Sequence, residues 1–206
     1  MKFGGLKNSY QANEKCNCVS SNNKQCICPP IDSHLNVSDL RSISICYNHM
    51  VWITKEGQGF AYGDNSSGQI LGTHNKEIIK EDQAIQLTDK NGYQCKLISA
   101  VCGQSYTLYL FSSASEKNNQ LVYSHSAHQS GTPVFVSING RNPLYLFGGR
   151  TTAAVVDSEG SIFVITNGDM KTGTATIEKS VLPQNEKPVS IACCNTFIVV
   201  AGSSGR

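Results

Sequence analysis

The sequence predicts an all-β fold of propeller-type blades, each made of short antiparallel strands. Three observations lead there. One strand–step–strand phrase recurs along the chain. Its strands are dominated by Val, Ile, Thr, Tyr and Phe, which suit a pleated surface. Gly, Asn, Asp and Ser punctuate them and supply turn conformations.

The first copy runs from Ile43 to Gly72, ISICYNHMVWITKEGQGFAYGDNSSGQILG. The second is Ile98–Phe111, followed by LVYSHS at Leu121–Ser126. The third is Leu144–Ile165 and the fourth Val189–Gly205, of which the fourth keeps clearly only its first strand. A two-residue step anchors the register: Ile45-Cys46, Cys102-Gly103, Gly148-Gly149 and Cys193-Cys194. Three residues after the second member of each step come His49, Tyr106, Thr152 and Phe197. Gly57 and Gly160 follow at matching distances, each in a Glu-Gly turn. The copies are spaced by 57, 46 and 45 residues. Such a period, made of short strands, points to a β-propeller. One blade cannot bury both of its faces, so blades must stack on their neighbours.

Residues 1–206 read as a single repeat domain of about three and a half to four repeats. Residues 11–39 form a polar, Cys-containing loop or arm with Pro29-Pro30. Residues 73–92 read as a loop insertion, with at most one or two turns of helix within Asn75–Leu87. Residues 166–188 read as a weak strand–loop connection.

Composition narrows the function classes. Hydrophobic residues are 39% of the 206, enough for a sizeable core, and charged residues only 16%. The formal charge is +2 and there is no Lys/Arg block. Recruitment of nucleic acid or a membrane surface by bulk charge is therefore not expected. No apolar run approaches the ~18–20 residues of a spanning helix. The first residues, MKFGGLKNSYQANEK, lack the apolar stretch of a secretory signal. The expectation is a cytoplasmic or nuclear protein that is not secreted, with its nine cysteines mostly reduced.

The segment Gly63-Asp64-Asn65-Ser66-Ser67-Gly68-Gln69-Ile70-Leu71-Gly72 resembles the G-x-N-x-x-G-Q-L-G signature of the regulator of chromosome condensation repeat family, with one extra residue before the last Gly. Cys46-x-x-His49 with Thr54-Lys55-Glu56-Gly57 is similar to the other half of that repeat. Cys102-Gly103 keeps the step, with Tyr106 in place of His. Gly148-Gly149 and Asp157-Ser158-Glu159-Gly160 keep the step and the turn without the tail. Phe3–Gln11 is similar to the strand-and-tail half. The resemblance implies a propeller of about seven blades, so this chain would supply an incomplete ring. It also implies a non-enzymatic scaffold that binds another protein. The alternative it implies is guanine-nucleotide exchange on a Ran-like small GTPase. Self-association is a further expectation, since a second copy would complete the ring.

The chemistry-bearing residues have mostly structural readings. Gly63, Gly68 and Gly72 are expected to permit turns and close packing, and Asn65 and Gln69 to bond turn backbone. His49 is expected to be half-buried and bonded to neighbouring backbone. No phosphate loop of the G-x-x-x-x-G-K-[ST] form occurs, and no catalytic or cofactor-binding residue is assigned. Cys16, Cys18, Cys26 and Cys28 are the most chemical-looking group. Four thiolates can hold zinc, but structural zinc pairs are usually spaced C-x₂₋₄-C, and both pairs here are C-x-C. Zinc at residues 16–28 is therefore the remote alternative to a polar arm with free thiols. Cys46, Cys102, Cys193 and Cys194 lie on the step and are expected to pack as small hydrophobes. The acidic residues Glu77, Glu81 and Asp82 are the weak candidates for contact with a GTPase.

Overall fold

A computed structural model describes residues 37–71, 79–89, 91–125, 134–166, 178–180, 182, 186–195 and 197–205. Blade 1 consists of β1 (Leu40–Cys46), β2 (His49–Thr54), β3 (Gly59–Gly63) and β4 (Ile79–Ile85). Blade 2 consists of β5 (Lys96–Cys102), β6 (Thr107–Ser112), β7 (Gln120–Ser124) and β8 (Val134–Val136). Blade 3 consists of β9 (Pro143–Gly148), β10 (Thr152–Asp157), β11 (Ile162–Thr166) and β12 (Glu178–Ser180). Blade 4 is a hairpin of β13 (Pro188–Cys193) and β14 (Ile198–Gly202). Each sheet is antiparallel and runs in chain order. The structure is therefore a propeller whose ring is not closed by the described blades.

The blades stack through their middle strands, and this explains the sequence pattern. β6, TLYLFS, is buried along almost its whole length. Tyr109 and Phe111 face blade 1, where they meet Val51, Ile53, Ala61 and Ile85. Leu108 and Leu110 face blade 3, where they meet Ala153, Val155, Phe163 and Ile165. A strand covered on both faces has no polar side, so it reads as an unbroken apolar run. β10 repeats the arrangement, with Ala153 and Val155 toward blade 2 and Ala154 and Val156 toward blade 4. Burying a Leu or Phe in these seams contributes about 1.5–3 kcal/mol each.

Two sequence expectations are corrected. Residues 73–92 are not simply an insertion: Ile79–Ile85 forms the outer strand of blade 1, paired with β3, and Thr88 bridges to Gln94. The stretch expected to hold helical turns is thus strand over its described part. An outermost strand draws its stability from the ladder and needs few apolar residues, so IKEDQAI carries little strand signature. The fourth copy, expected to keep one strand, forms the β13–β14 hairpin. Its second strand, IVVAG, is short and ends in the Gly202–Gly205 turn.

Candidate functional site

The step residues all lie at one end of the blades, where each inner strand turns into its middle strand. There the repeat position after each of the first three steps reaches across to the next blade. His49 Nε2 lies 2.9 Å from Thr107 Oγ1. The Tyr106 hydroxyl donates toward the Gly149 and Thr152 carbonyls, at 3.0 and 2.9 Å. The Thr152 hydroxyl donates to the Cys194 carbonyl at 3.0 Å, and the neighbouring Thr151 hydroxyl to the Asn195 carbonyl at 2.7 Å. Three different side chains thus make the same kind of clasp.

His49 departs from expectation. It is fully buried, and its side-chain partner lies in the next blade rather than in its own backbone. Burial pushes its imidazole down from 6.5 to about 4, while Asp64 and the Tyr106 backbone oppose the shift. The ring therefore stays neutral at pH 7. Asn48 links the two polar residues: its Nδ2 donates to Asp64 Oδ2, and its Oδ1 lies 3.4 Å from His49 Nδ1. The arrangement has the order of a carboxylate–imidazole–hydroxyl relay. Thr107, however, is itself fully buried, so a substrate has no approach to it. The group is a fastening.

The signature residues of the first copy form the adjoining loop. Asn65 Oδ1 accepts from the Ile70 amide at 2.8 Å, and Gln69 Oε1 from the Ser67 amide at 2.9 Å. Both side chains are buried. Gly63 has φ +114°, and a Cβ there would lie 2.3 Å from the Asn48 carbonyl oxygen. Only glycine lets the loop leave β3 at that point. Gly68 ends a tight turn on Asn65, and its carbonyl accepts from Ser124 of blade 2. Gly57 and Gly160 close the β2–β3 and β10–β11 turns. Gly103 and Gly149, the second members of their steps, donate through their amides to the Tyr106 and Thr152 carbonyls. Gly72 lies outside the described residues, as do Cys16, Cys18, Cys26 and Cys28.

A second regularity runs along the inner strands. The first step residue of each blade touches the residue before the step of the preceding blade. The Cys102 thiol donates to the Ser44 carbonyl at 3.4 Å, and the Cys193 thiol to the Phe147 carbonyl at 3.5 Å. Gly148 takes this position opposite Val101, where a Cβ would lie 2.6 Å from the Val101 Cβ. Sequence reading missed this coupling between step and neighbour. The signal was present in the pairing of a small step residue with whatever precedes the previous step.

The thiols are correspondingly quiet. Burial pushes Cys102 up to about 12 and Cys95 and Cys193 up to about 11, and it raises Cys46. Such thiols are not nucleophiles at neutral pH. Cys194 corrects the expectation of packing: it is exposed, because it lies just past the end of β13. Among the described residues, no three His, Cys, Asp or Glu side chains converge as a metal site. No described helix is long and apolar enough to cross a membrane.

The exposed part of this end is a rim. Tyr47 is 60% exposed and sits at φ +50°, a conformation uncommon for a bulky residue. Arg150 Nε donates to Gln104 Oε1 at 2.7 Å. Thr151 and Asn195 continue the rim toward Phe197, which is 58% exposed.

No family profile and no curated protein matches the sequence. Solved structures do. The chain is similar to human WBSCR16, with TM-score 0.60 and 11% identity, over 85% of this chain and 48% of that one. It is also similar to Prp20p from Saccharomyces cerevisiae, described with its binding to Gsp1p and histones. That likeness has TM-score 0.60 and 15% identity, over 80% of this chain and 44% of the other. A further structure, yeast RCC1 (Prp20) bound to Kap60, aligns at TM-score 0.54 and 14% identity, over 81% and 42%. The chain therefore spans less than half the length of these proteins. It carries the β-propeller fold of the regulator of chromosome condensation repeat.

Proposed function

We propose that this chain is a protein-binding module that presents the rim at the step end of its blades. The observation that carries the reading is the contrast between what is fastened and what is free. His49, Tyr106 and Thr152 are committed to holding blades together. Tyr47, Arg150 and Asn195 lie exposed beside those clasps, with Gln104 half-exposed against Arg150. Rigid scaffolds with exposed connecting loops are the usual setting for recognition. The partner is another protein, met in the cytoplasm or nucleus.

Exchange of guanine nucleotide on a Ran-like GTPase is the second reading, favoured by the likeness to Prp20p and its described binding to Gsp1p. Of the acidic candidates, Glu77 lies outside the described residues and the other two count against it. Glu81 and Asp82 lie within the β4 ladder rather than on a protruding wedge. Zinc bound by Cys16, Cys18, Cys26 and Cys28 is a separate proposal, tested by metal content of dialysed protein.

The test is affinity capture of tagged protein from its own cell lysate, with and without chelation of magnesium. Partners captured in both conditions, and lost on Arg150→Ala or Tyr47→Ala, support the binding module. A GTPase enriched only after chelation supports exchange. No partner in either condition overturns both.

A further inference from the structure

The loop between β9 and β10 is fastened at every residue. The Gly149 amide donates to the Thr152 carbonyl at 2.8 Å, and the Tyr106 hydroxyl reaches the carbonyls of both. The Arg150 carbonyl accepts from the Gln104 amide of the β5–β6 loop at 2.9 Å. The Thr151 and Thr152 hydroxyls donate to the Asn195 and Cys194 carbonyls of the β13–β14 loop. Gly149 lies so close to that loop that a Cβ there would meet the Cys194 carbonyl oxygen at 2.6 Å. Blades 2 and 4 thus grip this loop from both sides.

The Arg150 side chain shares in the fixing. Its Nε donates to Gln104 Oε1 at 2.7 Å, so the same two residues are joined through both main chain and side chain. That bond uses one of the five guanidinium N–H groups. The terminal nitrogens carry the rest and have no partner among the described residues, although Arg150 is exposed. Arg141 gives the contrast, since Asp157 and Glu159 both hold its guanidinium. No described carboxylate does this for Arg150.

A strained residue stands beside it. Burial raises the Cys46 thiol and the Arg150 charge opposes that rise, which places the guanidinium near Cys46. The next residue, Tyr47, sits at φ +50° with its side chain 60% exposed. The Asn48 amide closes this turn on the Cys46 carbonyl at 2.6 Å. Strain of this kind persists where the surroundings over-determine it, and it collects at ligand-holding sites.

We infer that Arg150 is the receptor for a carboxylate in an acidic segment of a partner protein, laid across the rim beside Tyr47. The inference rests on the reading of the rim as a protein-binding surface and names the chemistry of what it binds. A guanidinium held by its stem, with its terminal N–H groups unspent, matches a carboxylate, which accepts two parallel bonds. Phosphorylated motifs are taken by clusters of Arg or by rows of free backbone amides. This loop carries one Arg, and its Gly149 amide is already spent on Thr152. Loop and guanidinium are ordered beforehand, so little conformational freedom is lost on contact.

The experiment uses the full chain, labelled with nitrogen-15 and followed by NMR, and a blocked oligopeptide of Gly-Glu repeats. The Gly-Gln counterpart is the control. The Arg150 Nε–H and the Gln104 side-chain amide should shift and saturate with the Gly-Glu peptide alone. Lys55 and Lys96, both exposed, report diffuse attraction and should move little. Arg150→Lys keeps the charge, loses the fork and weakens binding about tenfold. Gln104→Ala keeps the fork, frees its stem and weakens binding about threefold. An otherwise unchanged spectrum shows that each variant is folded. No saturating shift at Arg150 overturns the proposal. So do shifts spread evenly over the lysines, or full binding by Arg150→Lys. Inorganic phosphate or single-stranded DNA moving Arg150 where the peptide does not also overturns it. Capture from lysate separates this inference from the reading beneath it. Proteins lost on Tyr47→Ala but kept on Arg150→Glu leave the binding module standing and overturn its acidic partner.

Discussion

His49 Nε2 and Thr107 Oγ1 meet at 2.9 Å across the boundary between blades 1 and 2, and both residues are fully buried. A buried polar atom that loses its partner carries its full desolvation cost. Thr107→Val keeps the shape and removes the hydroxyl. The expected loss is about 1–3 kcal/mol of unfolding free energy, read by urea denaturation. Thr107→Ser retains the bond and should lose less.

The same histidine sets a pH dependence. Its value falls from 6.5 to about 4 on folding, so folding favours the neutral ring. Its contribution is complete above pH 6.5 and is lost as pH falls toward 4, where the unfolded chain takes up a proton first. A displacement of this size corresponds to about 3 kcal/mol. Asp89 acts in a lower window. The Ser113 and Ser115 hydroxyls hold its carboxyl down, from 3.8 to about 2, so its contribution fades only below pH 3.8. Thermal melts from pH 7 to 4 should show a falling Tm, and His49→Gln should flatten the profile. An equally steep profile in the variant would remove His49 as the cause.

Tyr106 fastens blade 2 to blade 3 through one hydroxyl and two carbonyls. Tyr106→Phe leaves the ring packing intact and deletes the donor. The expected cost is about 1–2 kcal/mol. Hydrogen exchange should speed up at the β9–β10 turn more than within β2.

Gly148 and Val101 form a steric pair. Gly148→Ala puts a methyl group 2.6 Å from the Val101 Cβ, and overpacking of this kind costs about 1–3 kcal/mol. Val101→Gly in the same chain removes that Cβ and makes room, whereas Val101→Ala would keep it. The double variant should therefore be more stable than the sum of the single losses, a coupling visible in a double-mutant cycle.

The cysteines should separate by reactivity. At pH 8 in the folded protein, iodoacetamide labels the exposed Cys194 and spares Cys102, whose thiol burial holds at about 12. Peptide mapping by mass spectrometry reads both sites. Equal labelling of the two would contradict the packing described for β5.

Much of the architecture was legible because the step recurs. Ile45-Cys46, Cys102-Gly103, Gly148-Gly149 and Cys193-Cys194 mark the ends of the four inner strands. The turns at Gly57 and Gly160 were legible for the same reason. β4 was not, because an outer strand such as IKEDQAI is held by its ladder and leaves no apolar alternation to read. The depth of His49 was also hidden. Its partner lies 58 residues away, and a long-range bond between unlike residues leaves no local spacing. Interchange of His, Tyr and Thr at one position looks like decay of a motif. In space it is one fastening made with three chemistries.

The clasps have a direction. Each is thrown forward, from a blade to its successor, and none of the three described is thrown back. A stack joined this way behaves as a polar chain, with a leading end and a trailing end that are not equivalent. Damage to one fastening releases everything downstream of it as a unit while the upstream blades keep their own. Among the described residues, blade 2 is clasped on both sides, whereas blade 4 is clasped to blade 3 alone. Fraying should therefore begin at the β13–β14 hairpin and travel toward β1, in the manner of a quasi-one-dimensional repeat array.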